Sequence, residues 1–155
     1  LSGKNYEKVD VNEIIEEVVS LYRLAPDIDF RISLSRGLDK IYADKHELNR
    51  VFQNLVKNSI QSIETEGIVE IKTYVYKEAD GDFIMAEISD NGCGIEESLM
   101  ENLFKPNFST KSTGMGLGLA IAKKSLDDMK AEIKFENNIS KGTKVILKFK
   151  SLKTH

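Results

Sequence analysis

Two glycine clusters, set between apolar segments at residues 90–119, constrain this chain more than any other feature. Their glycines are Gly92, Gly94, Gly114, Gly116 and Gly118, and each belongs to a G-x-G pair. Glycine has no Cβ, so its backbone can come close to a ligand. The N–H groups that open a helix attract anions, because they are unpaired and the helix dipole points at the ligand. We therefore predict a nucleotide site.

The spacing of these glycines excludes two common phosphate-binding loops. No glycine of the stretch is followed directly by lysine, as the P-loop requires. The residue three positions after the second glycine of each pair is never glycine, which excludes the dinucleotide-binding fingerprint. What remains is a site in which a carboxylate and the first cluster hold a base. The second cluster, preceded by a loop, would then cover phosphates.

Composition limits the fold and the partners. A chain of 155 residues fits one domain. The net charge of −3 argues against nucleic acid as a partner, because binding to phosphate backbones normally requires a basic surplus. The single cysteine, Cys93, cannot form an internal disulfide, and no apolar stretch approaches the ~20 residues of a membrane span. We expect a domain of cytoplasmic character, with any membrane anchor of the parent protein outside this chain.

Hydrophobic periodicity predicts an alternation of strands and helices. In order, we expect an edge strand at 9–11, helix 11–24, strands 29–34 and 40–43, helix 45–63, strands 67–77 and 82–90, a short helix 97–103, a loop 105–114, helix 116–129, strands 131–137 and 143–150, and a tail 151–155. Asp10 and Asp44 are each followed three residues later by glutamate, which is typical of a capped helix start. The predicted class is α/β.

The helix at 45–63 has a second, polar stripe beside its apolar face. Asn54, Lys57, Asn58 and Gln61 stand at i, i+3, i+4 and i+7, so they share one side of the helix. Asparagine is a mediocre helix former, which makes the pair locally costly. One interpretation is a row of exposed polar side chains. The other is that the asparagines are neutral oxygen ligands for Mg²⁺ beside phosphate oxygens.

Four motifs in this order resemble the catalytic ATP-binding domain of bacterial sensor histidine kinases, in the superfamily shared with gyrase, MutL and a heat-shock chaperone. They are an N box at 54–59, a first glycine box at 90–95, an F box at 103–111 and a second glycine box at 114–119. The resemblance covers most of the chain. It implies a two-layer α/β sandwich of the Bergerat type, with a mixed, mostly antiparallel sheet and helices on one face.

The resemblance also implies a role for individual residues. Asp90 would accept a hydrogen bond from the adenine amine, although a plain Asp-Asn-Gly turn is the alternative, and Thr143 would join through water. Asn58 would bind Mg²⁺ with Asn54 beside it, and Lys111 would reach the distal phosphates. Gly94 would let the chain pass under the base, and Gly114, Gly116 and Gly118 would present backbone N–H groups to phosphate. The other residues implied at the nucleotide are Lys57, Gln61, Gly92, Ile95, Phe104, Met115, Leu117 and Leu119.

Asn54 bears on the reaction. Superfamily members that hydrolyse ATP or phosphorylate serine resemble each other in having a glutamate at this position, where it activates water or a hydroxyl. Asparagine cannot act as a base, whereas a histidine acceptor, with an ordinary pKa of about 6.5, is already largely neutral and nucleophilic at pH 7. Asn54 therefore favours a protein-histidine kinase. The sequence departs from the family at Ser59, Lys105 and Asn107, and no arginine lies near the F box.

The phosphoacceptor is not predicted in this chain. Its histidines are His46 and His155, and neither stands in the family's acceptor motif. We expect a chain that binds ATP and Mg²⁺ without phosphorylating itself, and that acts on an upstream dimerisation and histidine-phosphotransfer domain. A response-regulator receiver domain would be the next partner, with the parent protein a homodimer and this chain alone a monomer. The alternatives are a degenerate nucleotide-binding scaffold or sensor, and a serine kinase or ATPase of the same superfamily.

Overall fold

The computed structural model describes residues 3–105 and 116–152, and within them the chain alternates between strands and helices. The elements are β1 (Tyr6–Val9), α1 (Val11–Tyr22), β2 (Ile28–Leu34), β3 (Ile41–Asp44), α2 (Lys45–Gln61), β4 (Gly67–Glu78), β5 (Gly81–Asp90), α3 (Glu97–Met100), α4 (Gly116–Asp128), β6 (Glu132–Asn137) and β7 (Thr143–Lys150).

Five of the strands form one sheet in the order β2-β4-β5-β7-β6. Only the β2–β4 pair is parallel, and the other neighbours run antiparallel. Asp90, the last residue of β5, lies opposite Val69 of β4, while Thr143 opens β7 on the other side of β5. The central strand β5 therefore ends between β4 and β7, and the side chain of its last residue, Asp90, is buried there.

The helices cover one face of this sheet. The apolar stripe of α2 is buried at Leu48, Val51, Phe52, Leu55 and Val56, as its period predicts. This helix contacts α1 on one side, α4 on the other and β5 beneath it. The apolar residues of β5 and β7 that alternate toward the helices close the core. The predicted two-layer α/β sandwich, with a mixed and mostly antiparallel sheet, is confirmed.

The first strand was predicted at the wrong position. It covers Tyr6–Val9 rather than residues 9–11, because it pairs with β3 in a separate two-stranded sheet, with Val9 opposite Ile41. Asp10 then caps α1, since its side chain accepts a hydrogen bond from Asn12 N at 2.9 Å. Val11 therefore begins the helix and does not end the strand.

Each helix that the structure describes ends before its predicted last residue. Helix α1 ends at Tyr22 instead of residue 24 and α2 at Gln61 instead of residue 63, while α3 ends at Met100 instead of residue 103 and α4 at Asp128 instead of residue 129. After Met100 the chain continues in turns, with Lys105 N donating to Asn102 O at 3.1 Å. The predicted loop beyond it, up to residue 114, lies almost entirely outside the described residues.

The start of the predicted tail belongs to the fold. Ser151 N donates to Asp82 O at 3.0 Å, and Leu152 N donates to Lys40 O at 2.9 Å. These bonds tie the chain after β7 to the start of β5 and to the segment before β3, so a free tail at 151–152 was wrong. Of the helices that the structure describes, none is long and apolar enough to cross a membrane.

Candidate functional site

A pocket opens where α2 ends beside the edge formed by β5 and β7. It contains about 400 Å³ of empty space, part of it open to solvent. Its apolar lining comes from Leu55, Ile88, Ile95, Phe135 and Val145. Its polar lining comes from Asn58, Ser59, Ser62, Asp90 and Thr143. An apolar cleft with a few converging polar groups is the usual form of a small-molecule site.

Asp90 is the most strongly held polar side chain of this pocket. It is only 6% exposed. Its Oδ1 accepts from Gly92 N at 2.9 Å, from the Ser62 hydroxyl at 3.1 Å and from Thr143 N at 3.4 Å. The donors come from the glycine box, from the end of α2 and from β7, so three separate segments fix the carboxylate. A plain Asp-Asn-Gly turn would explain the bond from Gly92, because that bond forms an Asx turn. It would not explain the bonds from Ser62 and Thr143, which lie far away in the sequence.

Burial and hydrogen bonding act in opposite directions on this carboxyl group. Burial raises the pKa of Asp90, because it disfavours the charged form, and the hydrogen bonds from Gly92, Ser62 and Thr143 offset this rise only in part. A pocket carboxylate that the fold holds at this cost is the kind of group that functional sites contain.

The polar stripe of α2 divides into two parts. Lys57 and Gln61 are exposed and do not line the pocket, as expected for a solvated row. Asn54 and Asn58 are partly buried. Asn54 Nδ2 donates to Gly118 O at 3.0 Å, which joins α2 to the first turn of α4. Asn58 lies in the pocket wall, and among the described residues its buried Nδ2 has no hydrogen-bond partner, which is unusual for a buried polar group.

The first turn of α4 brings part of the second glycine box to the same region. The helix begins at Gly116, and the first N–H groups of a helix have no partner within it. Gly118 follows in this turn beside Asn54. The Leu119 side chain is 0% exposed and belongs to the core, so only its backbone could meet a ligand. Of the other predicted residues, Lys111, Gly114, Met115 and the side chain of Leu117 lie outside the described part of the chain.

The first glycine box packs against the end of α2. A Cβ on Gly92 would lie 2.2 Å from Ser62 Oγ and 2.5 Å from Ser62 O, so no side chain fits there. Cys93 N donates to Ser62 O at 3.0 Å. Gly94 and Ile95 line the pocket, and Phe104 packs against another lining residue, Phe135, with their ring centroids 5.7 Å apart. Gly92 is thus needed for the contact with the helix.

The sequence-based prediction missed several residues of this region, among them Ser62, Phe135, Asn137 and Asn138. Ser62 stands four residues after Asn58, so helical spacing could have placed it on the same face. Phe135 follows the alternation of β6 and could have been assigned to the inner face. The two asparagines hydrogen-bond to the glycine box across the turn after β6. No local pattern indicated those contacts.

The family model described as histidine kinase-, DNA gyrase B- and HSP90-like ATPase matches residues 43–153. The chain belongs to this family. The matched region includes α2, the pocket and both glycine boxes. Membership of this ATPase family implies that the chain binds a nucleotide.

Relatives of this ATPase-family chain are sensor kinases. It is 33% identical over 132 residues to the signal transduction histidine-protein kinase AtoS of Escherichia coli, covering 83% of this chain and 21% of AtoS. It is 30% identical over 134 residues to the sensor protein kinase PilS of Pseudomonas aeruginosa, covering 84% of this chain and 25% of PilS. The chain thus spans about a fifth to a quarter of these curated relatives.

Solved structures agree with this assignment. The nucleotide-free catalytic domain of the histidine kinase ThkA superposes with a TM-score of 0.81 at 28% identity, covering 95% of this chain and 98% of that domain. ThkA in complex with the response regulator protein TrrA also matches, with a TM-score of 0.77 at 25% identity over 94% of this chain and 42% of that one. The resemblance to histidine kinase catalytic domains and the Bergerat-type fold are therefore confirmed.

Proposed function

We propose that this chain is the catalytic domain of a sensor histidine kinase, which binds Mg-ATP and transfers the γ-phosphoryl group to a histidine on a dimerisation domain outside it. The observation that carries the proposal is the pocket that both the buried carboxylate of Asp90 and the side chain of Asn58 line. It would bring the proposed base-binding carboxylate and the proposed magnesium-binding amide to one ligand. The family and its kinase relatives agree with this chemistry.

Asp90 would select adenine. Three donors converge on its Oδ1 and favour the ionised form. An ionised carboxylate only accepts hydrogen bonds, so it can receive the exocyclic amine of adenine but not pair with the carbonyl at the same position of guanine. The apolar lining, including Ile88 and Val145, would bury the faces of the ring.

Asn58 fits a magnesium ion held jointly by protein and nucleotide. Within the described residues its amide nitrogen, Nδ2, is buried in the pocket wall without a partner, and the same amide carries the kind of neutral oxygen that Mg²⁺ binds. Asn54, fixed on Gly118 O, would lie next to it as a further ligand or as a support. When bound, Mg²⁺ would neutralise phosphate charge. Asn54 and Asn58 themselves would place the amide oxygen of Asn58 at the pocket end of α2.

The phosphates would lie toward the first turn of α4. Its first N–H groups, from Gly116 to Leu119, have no partner within the helix and are natural donors to anions. Lys111 and the N–H groups of Gly114 and Met115 are proposed to complete this set. Phosphoryl transfer needs mainly positioning and charge neutralisation, which donors and cations supply.

Asn54 makes histidine the proposed acceptor. In the structure its Nδ2 donates a hydrogen bond, which agrees with an amide that positions neighbours and takes no proton. Exposed His46 at the start of α2 is not proposed as acceptor, and His155 lies outside the described residues. The phosphoryl group would then pass to an aspartate of a response regulator, the kind of protein that ThkA is seen with.

Calorimetric titration of the chain with ATP and GTP, with and without Mg²⁺, tests the nucleotide site. We expect micromolar-range binding of ATP, about −6 to −8 kcal/mol, which Mg²⁺ strengthens and which GTP does not reproduce. In Asn58→Ala the effect of Mg²⁺ should disappear. Asn49→Ala, on the same helix where its amide donates to Glu17, is the matched control and should keep it.

The outcomes separate the alternatives. No binding of ATP would indicate a degenerate scaffold, and persistent magnesium enhancement in Asn58→Ala would move the metal ligand elsewhere. With γ-labelled ATP, the chain alone should not become labelled, while a histidine-bearing dimerisation domain from the parent protein should be labelled in trans. Label on serine, or steady release of phosphate from the chain alone, would favour the serine kinase or ATPase.

A further inference from the structure

The turn after β6 holds Asn138 against the strand ends that form the pocket floor. Asn138 Nδ2 donates to Asp90 O at 2.8 Å and to Ser89 Oγ at 2.9 Å, with a longer contact of 3.4 Å to Thr143 O. An amide nitrogen has two hydrogens, so the two short bonds use both. One partly buried side chain therefore connects the end of β5 to the start of β7.

Its neighbour Asn137 holds the other end of the glycine box. Asn137 Oδ1 accepts from Ile95 N at 3.1 Å, and its Nδ2 donates to Ile95 O at 2.8 Å. This pairing satisfies both main-chain groups of Ile95, which lines the pocket. The two asparagines thus contact the two ends of the segment that runs from Asp90 to Ile95.

The turn that carries Asn138 is itself a firm support. Asn138 N donates to Gly142 O at 2.9 Å, which closes the turn. A Cβ on Gly142 would lie only 1.9 Å from Asp90 O, so the backbone of the turn packs directly on the backbone of Asp90. Gly142 has φ +100°, a conformation that glycine adopts readily. The carbonyl of Asp90 therefore has two contacts with this turn, the hydrogen bond from Asn138 and the close packing of Gly142.

We propose that Asn138 is a positioning residue for base selection, whereas Asn137 supports the pocket wall without influencing which base binds. The inference rests on the proposed function. The Asp90 carboxylate can meet a purine amine only if its main chain is fixed, and Asn138 fixes it through Asp90 O. Ile95 contributes apolar contact, which adenine and hypoxanthine receive alike. Loss of Asn138 should therefore cost the hydrogen bond that distinguishes the bases.

The experiment compares ATP with ITP, which carries a carbonyl in place of the adenine amine. Calorimetry with the wild-type chain should show a clear preference for ATP. In Asn138→Ala the ratio of the two affinities should fall by about tenfold, mostly through weaker ATP binding, the size expected for one buried hydrogen bond. In Asn137→Ala both nucleotides should weaken by a similar factor, so the ratio stays.

The ratio is a readout that a merely structural role would not move. If Asn138→Ala weakens the binding of ATP and ITP equally, so that the ratio of their affinities stays at the wild-type value, the inference is overturned while the proposed function stands. If the wild-type chain binds neither nucleotide, the proposed function fails and the inference fails with it. Thermal denaturation checks folding, and Asn138→Ser, which stays polar and uncharged but removes both amide donors, carries the test if the alanine variant is unfolded.

Discussion

At the scale of single residues, Asp90 combines burial with a charge, as the proposed role in base binding would require. Its carboxylate is almost fully buried, and burial raises its pKa. The donors from Gly92, Ser62 and Thr143 reduce this penalty but do not remove it. A group chosen only for stability would be neutral at this position, because burying a charge costs free energy even when it is hydrogen-bonded.

Asp90→Asn should therefore stabilise the protein at neutral pH while abolishing adenine selectivity. The amide oxygen can still accept at Oδ1, and no charge is buried. The pKa of Asp90 in the folded protein lies above its ordinary value of 3.8, so the folded protein binds a proton more readily than the unfolded chain. The stability of the wild type therefore falls as the pH rises from 3.8 through the raised pKa. The advantage of the variant should be full once the pH exceeds the raised pKa of folded Asp90, and it should vanish as the pH falls below 3.8.

Chemical denaturation across a pH series measures this difference. Asp80→Asn, at an exposed position in the β4–β5 turn, is the control and should show no such dependence. A variant that is less stable than wild type at pH 7, yet still prefers ATP, would show that Asp90 serves the fold and not the base.

At the scale of elements, one of the contacts between α2 and α4 depends on a glycine. Asn54 of α2 contacts the backbone of α4 at Gly118. A Cβ on Gly118 would lie 2.6 Å from Asn54 Oδ1, so the glycine allows the two helices to approach this closely. Glycine near a helix start lowers helix propensity, and the close approach gives a reason for keeping it.

Gly118→Ala should weaken nucleotide binding several-fold with little change in stability. The gain in helix propensity, about 0.5–1 kcal/mol, would be offset by loss of the Asn54 hydrogen bond, about 1 kcal/mol. In an Asn54→Ala background the clash is gone, so the same substitution should stabilise the chain by the full propensity gain. A double-mutant cycle read by denaturation and calorimetry measures this coupling.

Strict additivity in that cycle would contradict the contact. It would mean that the Asn54 side chain moves away from Gly118 without cost, and that the joint between the helices does not depend on it.

At the scale of the whole molecule, the sheet and the helix layer meet in one core. Phe52 of α2 and Phe149 of β7 are 1% and 2% exposed, and their ring centroids are 6.4 Å apart. This contact lies far along β7 from Thr143, which opens the strand at the pocket. The core thus sets the position of the strand whose first residue donates to Asp90.

Phe149→Ala should lower the free energy of unfolding by about 3–5 kcal/mol, because it removes a buried ring and leaves a cavity. Lys150→Ala, the exposed neighbour on the same strand, should change it by less than about 0.5 kcal/mol. Urea denaturation of both variants gives the comparison. A loss below about 1 kcal/mol for Phe149→Ala would mean that the two layers repack around the missing ring.

Much of the fold was predictable because its determinants are local. The apolar periods of α2 and β7 predicted their bounds to within two residues, and Asp44 caps α2 as its position indicates, accepting from His46 N at 3.0 Å. The paired glycines, together with the helix that follows them, indicated a nucleotide site. Period, cap and turn chemistry are encoded within a few neighbouring residues, so the chain displays them before it folds.

Long-range partners could be known only from the tertiary structure. Glu47 was expected to complete the cap of α2. Instead, its Oε1 accepts a hydrogen bond from the Ser125 hydroxyl of α4 at 3.2 Å. Ser62 reaches Asp90 across 28 residues, Asn138 reaches it across 48, and Asn54 meets Gly118 across 64. Which polar groups meet at such separations depends on strand order and helix packing, which no local pattern contains. The sequence alone therefore determined the elements and the kind of site, and the packing of the layers decided which side chains build it.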